Sequence, residues 1–288
     1  MVPFDYTIDE RLEIIKKYVD HPDDQIIYAH WFDVTTADAW RHNRMYEIAD
    51  CLKHLDYRWL TVGDGRFGLD SLRLENRGIK NVTPTDITKD LLDAAKKEGW
   101  IKDYSVENAE KLSFSDNAFD VVFCKEAYHH FPHPQIGLYE MLRIAREMVI
   151  LVEPNDKALN NSLHSILSQK KLISHARYET IGNYVYPISR REIVKIAIVT
   201  NMKAVAFKGI NDCYKKGLEF ESADVKQSKL FRQIRRQITL RNVLSSLHLL
   251  DYNISMAAMF KNPVDDKTLN LLKKNNWAVI NLPVNPYI

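Results

Sequence analysis

Between Arg58 and Val152, short apolar runs alternate with amphipathic stretches, the pattern of strand and helix units that build a mostly parallel sheet. The runs predict strands over Arg58–Val62, Asn81–Thr85, Asp103–Val106, Phe119–Cys124 and Met148–Val152. Helices open between them near Phe67, Lys89 and Pro134, and Gly78 and Gly99 end the first two, since glycine takes the left-handed capping conformation. Pro84 has no amide to donate, so it predicts that the ladder ends beside it.

The flanks follow helical spacing. Thr7 and Glu10 form a capping box ahead of Ile8, Leu12, Ile15 and Val19, which share a face until His21-Pro22 stops the helix. A second helix is expected after Thr36, with Trp40, Arg41, Arg44 and Tyr46 preceding Ile48, Leu52 and Leu55; residues 1–55 thus read as a helical cap on a core of residues 56–155. Beyond Asp156 the alternation lapses, and Leu163, Ile166, Leu167 and Leu172 suggest a helical insertion or lid over 156–200. Ser189 and Glu192 read as another capping box ahead of Ile193, Ile196 and Ala197. In residues 201–288, strands are expected over Lys203–Asp212 and Ile254–Lys261, both antiparallel. A short helix fits Thr268–Lys274, and a long amphipathic one spans 223–249 with Leu230, Phe231, Ile234, Ile238 and Leu244 inward. The fold class is a doubly wound α/β sheet of seven mostly parallel strands.

A chain of 288 residues suits one large domain with an added subdomain. Hydrophobic residues at 45% and charged ones at 27% exclude a disordered or fibrous chain. Forty basic against 38 acidic residues leave +2, too little for a global field that would draw nucleic acid or membrane. No leader-like apolar segment follows the start and no spanning stretch appears, which predicts a cytoplasmic protein. Cys51, Cys124 and Cys213 are odd in number and far apart, which favours reduced thiols over disulfides or a zinc site.

The stretch that carries chemistry is Leu60-Thr61-Val62-Gly63-Asp64-Gly65-Arg66-Phe67-Gly68, a strand entering a glycine turn and then a helix. Gly63 and Gly65 let a ligand lie against the backbone, where the amides of a helix start are free. Asp86 ends the second strand, where an acidic side chain accepts from ribose hydroxyls in nucleotide-binding sheets. Read as G-x-G-x-x-G, the turn also fits a dinucleotide, so two cofactor classes and a ligand-free turn remain open at this point.

Glu107-Asn108-Ala109-Glu110-Lys111-Leu112-Ser113-Phe114-Ser115-Asp116-Asn117-Ala118-Phe119-Asp120, followed by a strand that runs into Tyr128-His129-His130-Phe131, is similar to a segment of class I S-adenosylmethionine-dependent methyltransferases of the small-molecule, type 11 kind. Together with the glycine turn and Asp86, the resemblance covers residues 57 to 155. It implies that Gly63, Gly65 and Gly68 flank the methionine part of S-adenosyl-L-methionine, that Asp86 binds the ribose and that Ile87 packs on the adenine. It further implies that Asn108 and Ala109 meet the adenine edge, with Lys125 and Glu126 near the sulfonium and the substrate mouth. Thr61 stands where the family has an acidic residue, the third glycine comes one place later, and Asn108 replaces Asp.

Methyl transfer from a sulfonium needs alignment of the acceptor and, for a hydroxyl, a base. His129 and His130 follow the fourth strand at its carboxyl end and are the candidates for that base. Glu126, Tyr128 and Tyr184 are candidates for acceptor binding, with Tyr178, Tyr186, His164 and His175 also in the insertion. Glu153-Pro154-Asn155-Asp156 reads as a strand end and not as a metal site. The basic residues Arg232, Arg235, Arg236 and Arg241 read as a solvated helix face, with contact to a phosphate of a nucleotide-linked or lipid-linked acceptor as the other option. The expected function is O-methylation of a small polar metabolite such as a sugar, free or nucleotide-linked, with no nucleic-acid partner. An NAD(P)-dependent oxidoreductase and a cofactor-binding module without catalysis are the alternatives; the sequence leaves the oligomeric state undetermined.

Overall fold

A computed structural model describes residues 3–156 and 184–284. The helical pattern at Leu163, Ile166, Leu167 and Leu172, and the candidates His164, His175 and Tyr178, lie outside the described residues.

The described chain runs α1 (Ile8–Ile15), α2 (Pro22–Trp31), α3 (Ala37–Asn43), α4 (Ile48–Leu52), β1 (Arg58–Val62), α5 (Leu69–Asn76), β2 (Asn81–Asp86), α6 (Asp90–Lys97), β3 (Ser105–Val106), β4 (Phe119–Lys125), α7 (Pro134–Ile144) and β5 (Ala145–Pro154). After 184 come α8 (Arg190–Val199), β6 (Ala204–Ile210), α9 (Lys229–Ser246), β7 (Ile254–Phe260), α10 (Asp266–Lys274) and β8 (Ala278–Asn281). One sheet has the order β3-β2-β1-β4-β5-β7-β6-β8, with β1 to β5 parallel and β7 antiparallel to both its neighbours. Because β7 reverses, β6 points the same way as β5, so of the two late strands expected to be antiparallel only β7 opposes the parallel set. The edge strand β8, antiparallel to β6, brings the described sheet to eight strands.

The central strands β1, β4, β5 and β7 are largely buried because both faces are covered. On one face Trp59, Val121, Phe123, Ile150 and Met256 pack with α4 and with Leu272 of α10; on the other Leu60, Val122, Leu151 and Met259 pack with Leu138 and Met141 of α7 and Ile193 of α8. A third cluster joins Ile15, Ala29 and Phe32 of the first helices to Phe67, Leu72, Leu92 and Trp100, seating α1 and α2 over the glycine turn.

Local signals explain most boundaries. The Thr7 capping box is complete, and Thr36 caps α3 through the Ala39 amide. Gly78 (φ 99°) and Gly99 (φ 70°) follow α5 and α6 in the left-handed conformation. The Thr85 carbonyl accepts from Gly63, so Pro84 faces the other neighbour, β3, whose pairing reaches only Thr85 and Asp86; the missing amide falls beyond the ladder. At Ser189 the box is half-built: Ser189 takes the Glu192 amide, but the Glu192 side chain accepts from the Tyr186 hydroxyl instead (2.5 Å). α1 ends at Ile15, short of Val19 and of the stop expected at His21-Pro22; Pro22 instead opens α2 at its first turn, where a missing amide costs nothing.

Candidate active site

The turn after β1 is held by a carboxylate three residues past the expected position, 61. Asp64, buried, accepts from the Thr61 hydroxyl (2.8 Å) and from the amides of Asp70 (2.9 Å) and Ser71 (2.8 Å) at the start of α5. Burial and the neighbouring Asp70 push its pKa up, against those three donors. Thr61 and Asp64 thus share the work of an acidic residue at 61. Gly63 has φ 78°, and a β-carbon there would lie 2.3 Å from that of Ala127; a β-carbon on Gly65 would lie 2.7 Å from the Asp86 carboxylate. The turn therefore stays bare, with Asp86 beside it.

Asp86 takes the amide and hydroxyl of Thr88 on Oδ1 (2.9 and 2.8 Å). Ile87 projects its side chain outward, 67% exposed, an apolar surface at the cavity mouth. Asn108 Oδ1 accepts from the Glu110 amide (2.9 Å), leaving its Nδ2 as the donor, while Ala109 lies next to it on the wall.

At the end of β4 the buried Lys125 binds Glu126 (3.0 Å) and Asp70 (3.5 Å) and lies 5.5 Å from the Tyr46 ring centroid. Burial alone would lower its pKa, but Asp70, Tyr46 and Glu126 outweigh that and hold it above the ordinary value. Glu126 adopts φ 49°, a left-handed conformation that a non-glycine residue takes at a cost and that recurs at functional sites. His42 of α3 reaches Glu126 and Asp38, each at 3.6 Å. Burial, with Lys125, Arg73 and Arg41, nonetheless keeps its pKa well below the usual value, because those carboxylates are already paired with Lys125 and Arg41.

His129 lies in a 3-10 turn (Tyr128–His130) just past β4. Its Nδ1 is 2.5 Å from Oε2 of Glu153, the fully buried last acid of β5, while Glu153 Oε1 accepts from the amides of Ala127 (3.0 Å) and Tyr128 (2.9 Å). A carboxylate that accepts from two amides takes the Nδ1 proton as its third donor, which leaves the lone pair on Nε2. The His130 ring lies 4.0 Å from that of His129.

These elements enclose a cavity of about 760 Å³ at the carboxyl ends of β1, β2 and β4. Gly63, Gly65, Asp86, Ile87, Asn108, Ala109, Lys125, Glu126, His129 and His130 all line it. Three expected residues do not. Gly68 (φ 69°) caps α5, where a β-carbon would press on Ile101 and Ser71 at 3.1 Å, so its glycine serves packing. Tyr128 is buried in the core against Phe131 and Tyr186, and Tyr184 packs edge-on against Tyr186 away from the wall. The arginines of α9 are also elsewhere: Arg232 donates to the Val225 carbonyl and Arg235 lies over Trp40.

Residues 60–152 match the family described as Methyltransferase domain. Over this stretch the chain is similar to methyltransferase domains. The uncharacterized methyltransferase YcgJ of Bacillus subtilis (strain 168) is 25% identical over 161 residues, 52% of this chain and 61% of the relative, so the chain spans less than two thirds of that protein's length. The crystal structure of YcgJ from Bacillus subtilis shares the fold, with a TM-score of 0.50 and 15% identity over 77% of this chain and 99% of that one. A SAM-dependent methyltransferase from Archaeoglobus fulgidus does likewise, with a TM-score of 0.50 and 16% identity over 78% of this chain and 95% of its own.

S-adenosylmethionine, the methyl donor that the similarity implies, is a nucleoside with a sulfonium and a zwitterionic amino-acid end, and the wall suits each part. The bare glycine turn admits close backbone approach, and Asp86 and Ile87 offer an acceptor for hydroxyls and an apolar surface. Nη1 of Arg73, on α5, is buried without a hydrogen-bond partner and is fitted to a carboxylate. Sequence reasoning missed Arg73, Asp70, Tyr46 and His42. Asp64 was visible inside the turn, but the others come from helices whose approach to the cavity no local pattern announces.

Proposed function

We propose that this chain transfers a methyl group from S-adenosylmethionine to a hydroxyl oxygen of a small polar metabolite, of the sugar or nucleotide-linked sugar kind. The observation that carries this reading is the His129–Glu153 pair, whose histidine lines the cavity. Gly63, Gly65, Asp86, Ile87, Asn108, Ala109 and Lys125 would hold the cofactor, which when bound supplies an activated methyl group to an in-line acceptor. Glu153 is a positioning residue: it fixes the His129 ring and its tautomer, so that Nε2 faces the acceptor as a base. His129 then takes the hydroxyl proton as the oxygen is alkylated, and the imidazolium formed is stabilised by Glu153. His130, stacked beside it, is the second candidate. Glu126 would contact the acceptor, and the helices of residues 1–55 with the chain beyond 201 would complete its pocket.

The test is turnover with a pool of polar metabolites, read as S-adenosylhomocysteine formed. His129→Asn should lower kcat by roughly 10²- to 10⁴-fold with S-adenosylhomocysteine affinity unchanged. Full activity in both His129→Asn and His130→Asn removes the base.

A further inference from the structure

Part of the cavity wall is built where two distant segments meet. The Ala37 amide donates to the Glu221 carbonyl (2.7 Å) and the Ala223 amide to the Thr35 carbonyl (2.8 Å), locking the start of α3 to the chain after β6. Just before that lock, Gly217 (φ 93°) turns the backbone into a 3-10 turn, Leu218–Phe220, with Leu218 fully buried as its anchor. The middle residue, Glu219, lines the cavity together with Tyr214 and Asp38.

Glu219 is 7% exposed, and its Oε2 is buried without a hydrogen-bond partner. A buried carboxylate oxygen that lacks a donor is costly, so its retention on a cavity wall calls for a donor that arrives with a ligand. Arg41, a cation on this wall, is committed elsewhere. Arg41 spends its guanidinium on Asp212 (Nε–Oδ1 2.9 Å) and Asp38 (Nη1–Oδ1 2.5 Å). His30, which packs edge-on against Phe220, is held below its ordinary pKa by burial and Arg11, with Asp33 and Glu219 pulling it back, and its Nδ1 is itself buried without a hydrogen-bond partner, so it does not satisfy Glu219 Oε2. Methyl transfer also sets the acceptor next to a sulfonium, so an acceptor with a positive charge of its own needs an acid to hold that charge in place.

Resting on the methyl-transfer reading, we infer that Glu219 anchors a protonated amine of the acceptor. The substrate class is then a hydroxylated amine, such as an amino sugar or amino alcohol, and Glu219 is the residue that selects it over neutral and acidic analogues.

The experiment is thermal unfolding of the full chain saturated with S-adenosylhomocysteine, with glucosamine, glucose and glucuronate as one series and ethanolamine, ethylene glycol and glycolate as another. The amine of at least one series should raise the melting temperature more than its neutral and acidic partners. Glu219→Gln should weaken that amine roughly tenfold to hundredfold, the range for a lost charge-assisted bond, and leave the shift from S-adenosylhomocysteine unchanged. The inference is overturned if neither series prefers the amine, if the preference survives Glu219→Gln, or if that variant loses the S-adenosylhomocysteine shift, which would assign the carboxylate to the cofactor. Failure of S-adenosylhomocysteine to stabilise the unaltered chain would instead strike the methyl-transfer reading itself.

Discussion

Gly63 and Gly65 are both glycines for reasons of space, but with different consequences. At Gly63 an alanine would combine a left-handed backbone with a β-carbon 2.3 Å from that of Ala127. Gly63→Ala should therefore cost about 2 kcal/mol or more of stability, read as a lower urea midpoint at unchanged slope. At Gly65 the clash is with the Asp86 carboxylate, so Gly65→Ala should act first on cofactor affinity and less on folding. His42 makes a pH prediction. Burial keeps its folded pKa well below the ordinary value of 6.5, so below that pH the unfolded chain binds a proton that the folded one refuses. Stability should fall as pH drops through about 6.5, by up to about 1.4 kcal/mol per pH unit from this residue, and be insensitive to it above neutrality. His42→Asn should flatten the slope of unfolding free energy between pH 5 and 6.5; an unchanged slope contradicts the assignment. At this scale the sequence was legible where chemistry is local: Gly63, Gly65, Asp86 and His129 could be picked out from one strand end each. The role of Glu153 was not, because its partners His129 and the Ala127 and Tyr128 amides come from the neighbouring strand's end.

Helix α3 is fastened to the chain after β6 by charges that water barely reaches. Arg41 pairs with Asp212 and Asp38, and Arg44 adds a contact to Asp212 at 3.2 Å. Asp212→Asn would leave two guanidiniums short of a buried counter-charge, so it should cost about 3–5 kcal/mol in chemical denaturation, the range for breaking a buried pair from one side. A loss under 1 kcal/mol would mean that the pair is effectively solvated. Elements with a strong period or a cap were legible: β1 and α7 begin where the pattern places them, and α5 and α6 end ahead of Gly78 and Gly99. Those set by tertiary contact were not. β8 has four residues of mixed polarity and exists because β6 offers it an edge, while α2 opens on a proline that reads equally as a stop.

For the molecule as a whole, the order of strands puts the carboxyl ends of β1, β2 and β4 side by side, and the cavity opens there, as expected for doubly wound sheets. Helices from the start of the chain and the segment after β6 close the remaining wall, which joins residues far apart in sequence, such as His42, Arg73 and Glu219. That is why the wall at the glycine turn and Asp86 was readable in advance and the wall built by these distant segments was not. Among the described residues no helix is long and apolar enough to cross a membrane. The central claim is that the glycine turn and Asp86 together bind an adenosyl nucleoside, and calorimetric titration of S-adenosylhomocysteine into the full chain and into Asp86→Asn tests it most directly. The account predicts one site per chain, weakened roughly tenfold or more in the variant because a charged acceptor for the ribose hydroxyls is lost. No binding to the unaltered chain, or equal affinity in both proteins, would contradict it.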